Sequence, residues 1–491
     1  MNNVRVAAVD LGATSGRVMS GRISSERIEI NEMHRFPNGA VRARGSLFWD
    51  VLGIHRESLV GIREVARTGP LHGIGIDSWA IDHGLLDRDG QLLGQVFSHR
   101  DTRVDGIAEK VVAEIGAAEL YATTGIQQLP FNTLYQLVAA RGTAALESAE
   151  SLLLLPDLLG YWLTGVVGAE RTNASTTQLL DIRSGEWARD LCRELELPWS
   201  VLPPLREPGS VLGNLLPEVA QDLGVGGDVP VVAVGSHDTA SAVVGVPAST
   251  KNFAYISSGT WSLVGLELDQ PVLSEEARLA DFTNELGVDG TVRFLKNVMG
   301  LWVLSECLRS WSERRYKDVE LRSLIGAAEN FEPLRTIIDI NDPRLLFPST
   351  AADPMPERVA ALAAEAGEQV PHSPVAITRT IVDSLAVAYR RHVRTAAALA
   401  NVPLEVVHVV GGGSQNEVLC QLTADACGLP VLAGPVEAAA LGNVLVQGRA
   451  LGADLPDLAA MRDLVARSYD VRRFEPRDGL DWDGAEARAR R

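Results

Sequence analysis

Two places in this chain, 247 residues apart measured from Gly12 to Gly259, share one local plan. A short apolar strand runs into a turn of glycine and hydroxyl residues and leaves it as another strand. In the first, Val6-Ala7-Ala8-Val9 passes through Asp10-Leu11-Gly12-Ala13-Thr14-Ser15-Gly16-Arg17 to Val18-Met19. In the second, Phe253-Ala254-Tyr255-Ile256 passes through Ser257-Ser258-Gly259-Thr260-Trp261-Ser262 to Leu263-Val264-Gly265. The separation is about half of the 491 residues, which predicts two related domains, 1–246 and 247–491, with the boundary near Val246-Pro247-Ala248-Ser249. A third stretch fits beside them. The apolar run 406–410 enters Gly411-Gly412-Gly413 and then a helical pattern of Val418, Leu419, Leu422 and Ala426. Glycines there let backbone approach a ligand at a helix start, where free N–H groups favour an anion or a polar ring edge.

The rest of the chain alternates strand and helix patterns, so the class is α/β. Runs 18–23 and 28–36 extend the first strand into a meander, and Asp50 opens a helix as its N-cap. Segments 81–86 and 91–93 flank Asp87-Arg88-Asp89-Gly90, which reads as a hairpin turn, and helices are expected over 101–117 and 133–146. Apolar residues make up 46% and charged residues 22%, which excludes disorder and a fibrous repeat. A net charge of −18 argues against nucleic acid as a partner. The richest apolar run, 152–155, stops at Pro156, and the first one reaches Asp10 too soon for a signal sequence, so neither a membrane span nor secretion is expected. Cys192, Cys307, Cys420 and Cys427 lack zinc-ligand spacing and read as reduced thiols of a cytoplasmic protein.

Three glycine and hydroxyl turns after strands point to a nucleotide. No GxxxxGK[ST] occurs, and Gly73-Ile74-Gly75 runs into Asp77-Ser78 without the third glycine of a dinucleotide fingerprint. What remains is phosphate held by backbone amides and Thr or Ser hydroxyls, with Asp10 placed for Mg²⁺. Taken singly, Asp10-Leu11-Gly12 is also an ordinary turn; the second turn and the late glycines favour the phosphate reading. Asp238 follows the strand 231–234 and Gly235, at a strand end where open α/β sheets place their sites. It reads as a general base or as the N-cap of the helix that Thr239-Ala240-Ser241-Ala242 begins.

The ordered set resembles the superfamily of sugar kinases, actin and heat-shock chaperones, and within it the FGGY carbohydrate kinases. The resemblance rests on the first turn, His34-Arg35-Phe36-Pro37-Asn38, the run 125–137, 172–179, 236–242, 295–302 and 433–438. It implies an α/β fold of two ribonuclease-H-like domains facing a central ATP and sugar cleft. It implies ATP and Mg²⁺, with Asp10 as the metal anchor through water. Ala13, Thr14, Ser15, Gly16 and Arg17 would meet the phosphates from one domain and Gly259 and Thr260 from the other. Gly412 and Ser305 would lie at the nucleotide. Trp79 and Ala80 would wall the sugar, His237, Asp238, Thr239 and Asn297 would bind its hydroxyls, and Asp238 would be the base. Inside the family the set is most similar to the L-rhamnulose kinases, which implies transfer from ATP to O1 of that ketose. Three positions depart: Ala80 stands where relatives have glycine, Leu286 interrupts an Asn-Glu-Gly-Gly pattern, and Ser305 stands for a glutamine. Another ketose kinase of the family, acting on fuculose, xylulose or a signalling sugar, stays open, as does a sugar sensor without turnover. The partners implied are the ketose and Mg²⁺-ATP alone, with no nucleic acid and no membrane; nothing specifies an oligomer, and a monomer suffices. Asp82 and His83 read equally as sugar-facing residues or as a strand-flanking pair, and Arg100 and Arg103 read as cleft-lining residues or, more simply, as a solvated helix start.

Overall fold

The protein is described by a computed structural model covering residues 4–314 and 320–489. Contacts divide the chain into two compact units. One comprises residues 1–249, 267–294 and 438–468, the other 250–266, 295–437 and 469–491.

In the first unit the strands Val4–Leu11, Ser15–Ile23 and Ile28–Pro37 form the expected antiparallel meander. On the other side of Val4–Leu11 the strands Gly73–Ser78 and then Pro230–Val232 run parallel to it. The helix Val51–Arg67 packs near this sheet, its start capped by Asp50, which accepts from the Gly53 N–H at 3.0 Å. Val51, Ile54, Ile62 and Val65 recur at helical spacing and are buried in the same core as Ala7, Val9, Val18 and Ile74. Each such side chain contributes about 1.5–3 kcal/mol on burial. The helix Ala438–Ala450 packs against Val4–Leu11 and Gly73–Ser78 as well. Residues 6–9 are fully buried, the near-continuous apolar run expected of strands covered on both faces. The helix Asp238–Val244 docks on Ala438–Ala450 at glycine contacts: a Cβ on Gly442 would stand 1.8 Å from the Ser241 carbonyl oxygen. That close approach fixes where Asp238 can stand.

The second unit repeats the plan. Phe253–Ser258 pairs antiparallel with Trp261–Leu268 and, on its other edge, parallel with Val406–Val410, which pairs parallel with Val431–Ala433. The helix Pro374–Ala400 opens on Ser373, which accepts from the Ala376 N–H, and closes on Asn401 in the left-handed region. Among the described residues no helix is long and apolar enough to cross a membrane. The cysteines are free, with Cys192, Cys307 and Cys420 buried.

Two local expectations fail. The turn at Asp87 exists, and Asp87 accepts from the N–H groups of Asp89 and Gln91, but the hairpin closes through one bridge, Leu86 to Leu92. The strand His83–Leu86 pairs instead with Ser151–Leu154, a longer apolar partner. The helix expected over 101–117 is Ile107–Ile115, ended by Gly116 at φ 94°, and that over 133–146 stops at Ala139.

Candidate active site

The carboxyl ends of the first unit's parallel strands gather most of the expected residues. Register places Asp10 beside Asp77 and Leu11 beside Ser78. The Ser78 N–H donates to the Ser236 carbonyl at 2.9 Å, and Ser78 bridges to His237, so Trp79 and His237 leave neighbouring strand ends. Asp10 is 4% exposed and pairs across the hairpin with Arg17 at 2.7 Å. The sequence reading gives Asp77 no role at the site, although it lies at its strand end as Asp10 does. Its Oδ2 accepts from Asn443 at 2.6 Å, while Oδ1 has no partner among the described residues. Burial pushes its carboxyl well above the usual range, the charges of Asp10 and Asp238 push the same way, and Asn443 opposes them.

That orphaned oxygen beside a second buried carboxylate tests the fit of Mg²⁺. Among the described residues no three or more His, Cys, Asp or Glu side chains close around a metal. Mg²⁺ does not require that: it keeps several waters and takes one or two carboxylates. The donor set fits a water-held ion on Asp10 with Asp77 behind it.

The first turn is tightly braced. Gly12 N–H donates to Ser15 at 2.9 Å, Asn38 Nδ2 donates to the Gly12 carbonyl at 2.8 Å, and Asn38 N–H donates to the Thr14 carbonyl at 3.0 Å. Thr14 is exposed, while Ala13 and Ser15 are half-buried. Gly16 lies opposite Phe36, whose ring a Cβ would meet at 2.2 Å.

Asp238 is the first residue of its helix, and His237 is the N-cap, without a side-chain cap bond. The N-cap position thus falls to His237, with Asp238 one residue inside the helix. The carboxylate accepts from the Thr239 hydroxyl at 3.1 Å and stands 3.4 Å from His237 Nε2, with its side chain 33% exposed. Desolvation raises its pKa, Asp10 adds to the rise, and His237 opposes it. Two residues earlier, Ser236 is anchored by buried Glu170, which accepts from the Ser236 N–H at 2.9 Å and its hydroxyl at 2.8 Å.

Trp79 is held by Asp82, a second hub that sequence reasoning left undecided. Asp82 Oδ2 accepts from Trp49 Nε1 at 2.7 Å and Trp79 Nε1 at 2.8 Å, and meets His99 Nδ1 at 2.8 Å. The Trp49 and Trp79 rings lie 4.3 Å apart. Between Ala80 and Asp82, the β-branched Ile81 sits at φ 70°, a strain of about 1–3 kcal/mol that structure elsewhere must hold. Its carbonyl accepts from the Thr133 hydroxyl at 2.8 Å. Asp82 is thus consumed in positioning aromatic rings, and does not flank the strand as an ion pair with His83. Arg103 is not solvated either: it lies 3.8 Å over the Phe97 ring and donates to Gln136 at 2.9 Å.

His83 is buried, and burial lowers its pKa to about 4, with Arg103 adding and Asp82 opposing. The unfolded chain takes this proton near the ordinary value of about 6.5, so the stability is complete above that pH and is lost as pH falls toward 4. His83→Gln is expected to shrink the loss of unfolding free energy between pH 7 and 4.5 by about 2 kcal/mol, read from urea titrations. Parallel curves for variant and parent would refute this.

In the second unit, Gly259 is exposed and Thr260 half-buried in the turn, and their carbonyls accept from the N–H groups of Leu301 at 3.2 Å and Trp302 at 3.1 Å. The late glycines pack on the same strand end: a Cβ on Gly411 would stand 2.8 Å from the Ser258 carbonyl oxygen, and one on Gly413 2.0 Å from its hydroxyl. Gly412 faces open space. Ser305 is exposed, but its hydroxyl donates to the Leu301 carbonyl at 3.0 Å. Asn297 is half-buried on the strand Val292–Met299 and belongs to this unit.

Comparison with known proteins adds the following. The family model for the N-terminal domain of the FGGY family of carbohydrate kinases matches residues 6–245, and that for its C-terminal domain residues 254–451. A rhamnulokinase from Bacteroides thetaiotaomicron is 40% identical over 481 residues, 97% of either chain. One from Pectobacterium carotovorum is 43% identical over 484 residues, 98% of this chain and 94% of its own. A gluconate kinase structure from Lactobacillus acidophilus superposes with a TM-score of 0.79 at 16% identity, covering 100% of this chain and 96% of that one. A xylulose kinase from Rhodospirillum rubrum gives 0.78 at 18% identity, covering 99% and 97%. These likenesses show a two-domain α/β sugar-kinase fold.

Proposed function

The chain belongs to the FGGY family of carbohydrate kinases, and from that premise we propose that it transfers the γ-phosphoryl group of ATP to O1 of L-rhamnulose in the cytoplasm, with Asp238 as the base. The acceptor is supported by likeness along nearly the whole chain to relatives named for it. The base is supported by one observation: a partly exposed carboxylate at a strand end, beside His237. Phosphoryl transfer asks the protein for in-line placement, charge neutralisation and a late proton acceptor. A carboxylate pushed upward by desolvation suits the last task, because it holds a proton better than a solvated one.

Asp10, with Asp77 behind it, would hold Mg²⁺ through water. Bound there, the ion would neutralise phosphate oxygens. Thr14 and Ser15 offer hydroxyls and Arg17 a charge to the phosphates, with Ala13 and Gly16 keeping the turn narrow. Gly259, Thr260 and Gly412 leave space for the nucleotide, with Ser305 at its edge. Trp79 and Ala80 wall the sugar, and His237, Thr239 and Asn297 bind its hydroxyls. Asp10, the first turn, Trp79, Ala80, His237, Asp238 and Thr239 belong to the proposed domain 1–246, and Gly259, Thr260, Asn297, Ser305 and Gly412 to 247–491.

A panel of ketoses assayed with Mg²⁺-ATP tests the reading. L-Rhamnulose is expected to give the highest kcat/KM. If it ranks below L-fuculose or D-xylulose by more than about tenfold, roughly 1.4 kcal/mol, the acceptor is wrong.

A further inference from the structure

We propose that the buried pair Glu285 and Arg293 fixes the ring orientation of His237, and that both are positioning residues for the acceptor sugar. This rests on the reading of His237 and Asp238 above. Arg293 is fully buried and Glu285 is 6% exposed. Arg293 Nη1 lies 3.0 Å from Glu285 Oε2, and its Nη2 donates to His237 Nδ1 at 3.2 Å. Nε and Nη2 also donate to the Leu286 carbonyl at 3.2 and 3.1 Å, which locks the guanidinium plane. On the far side of the ring, His237 Nε2 faces Asp238 Oδ1 at 3.4 Å.

The chemistry follows from those contacts. Nδ1 meets two partners of opposite kind, a guanidinium that only donates and a carboxylate that only accepts. Held from both, the ring keeps Nε2 on the side of Asp238. Glu285 Oε2, 3.1 Å from Nδ1 and 3.0 Å from Arg293 Nη1, braces both groups and compensates the guanidinium charge. Burial pushes the Glu285 carboxyl up, yet Arg293 and His237 outweigh it and leave it below its usual range. A buried ion pair is weak evidence for stability, because desolvating both partners cancels much of their attraction. Its value here is geometric. Nε2 becomes a fixed polar atom beside the base, and a sugar hydroxyl bonded to it leaves the neighbouring hydroxyl to donate to Asp238.

A double-mutant cycle tests this, with Arg293→Lys and His237→Gln singly and together. Calorimetry with a non-hydrolysable ATP analogue reads the Kd of the best ketose from the panel and that of the nucleotide. Arg293→Lys keeps the charge but not the planar fork, and is expected to weaken ketose binding about tenfold, the usual scale of a hydrogen bond to a charged group. Nucleotide binding should stay within about twofold, and in the His237→Gln background the same change should cost less than about twofold. Equal effects in both backgrounds, or a parallel loss of nucleotide binding, overturn the proposal. If Arg293→Lys does not fold, Glu285→Gln, which keeps volume, runs through the same cycle under the same criteria. The single variant His237→Gln reports on the underlying reading: unchanged ketose binding there removes His237 from the sugar site, whatever the pair does.

Discussion

Asp238→Asn is expected to lower kcat by about 10²–10⁴-fold, the usual worth of a positioned general base. The amide keeps the size of the carboxylate and still accepts from the Thr239 hydroxyl, but it takes no proton. The fold should not suffer. The N-cap is His237, and the amide oxygen keeps the bonds that the carboxylate takes from Thr239. The sign of the electrostatic change points the same way. Asp238 has a folded-state pKa raised above its unfolded value, so its contribution to stability is present below the unfolded pKa and is lost as pH rises through the folded one. At pH 7 the ionised group therefore opposes folding, and the neutral amide should leave the melting temperature level or raise it. Ketose binding, read with a non-hydrolysable ATP analogue, should change much less than kcat, and nucleotide binding hardly at all. Retention of more than about a tenth of kcat would remove Asp238 as the base.

What could be read from the chain beforehand was what local chemistry dictates. The turn at Gly12 and the turn at Gly259 are visible because strand, small residues and strand occupy consecutive positions, and the structure shows both in matching sheet orders. Asp10 and Asp238 are visible because each follows an apolar strand. Partners chosen across the fold were not visible. Asp77 becomes notable through register with Asp10, and Arg293 through a ring 56 positions away in sequence. The strand His83–Leu86 took Ser151–Leu154 over the nearby Gln91 segment because pairing is decided by buried apolar area, which a turn signal does not report. The helix Ala438–Ala450 is buried on nearly every side, so no stripe of periodicity tells which unit it joins; it packs with the first. Arg103 carries a charge that suggests solvent, and Phe97 with Gln136 gives it a buried seat instead.

Asp10→Asn should weaken Mg²⁺ in the nucleotide complex by about 10–100-fold, the range seen when one partner around a bound ion is altered. The asparagine oxygen still orders a water, but the charge that holds the ion is gone. Two stability effects oppose each other in the same variant. The pair with Arg17, at 2.7 Å and mostly out of solvent, is lost. Repulsion that Asp10 exerts on Asp77 and Asp238 is relieved. Their difference should keep the change in unfolding free energy to about 1 kcal/mol, since a partly exposed ion pair and a like-charge contact are of similar size. Turnover should then show a higher Mg²⁺ requirement and partial recovery at high Mg²⁺. Calorimetric titration of ADP with and without Mg²⁺ gives the same answer without turnover: the parent should gain affinity from the ion, and the variant should gain little. A large fall in melting temperature with an unchanged Mg²⁺ requirement would return Asp10 to the role of a turn residue whose carboxylate serves Arg17 alone.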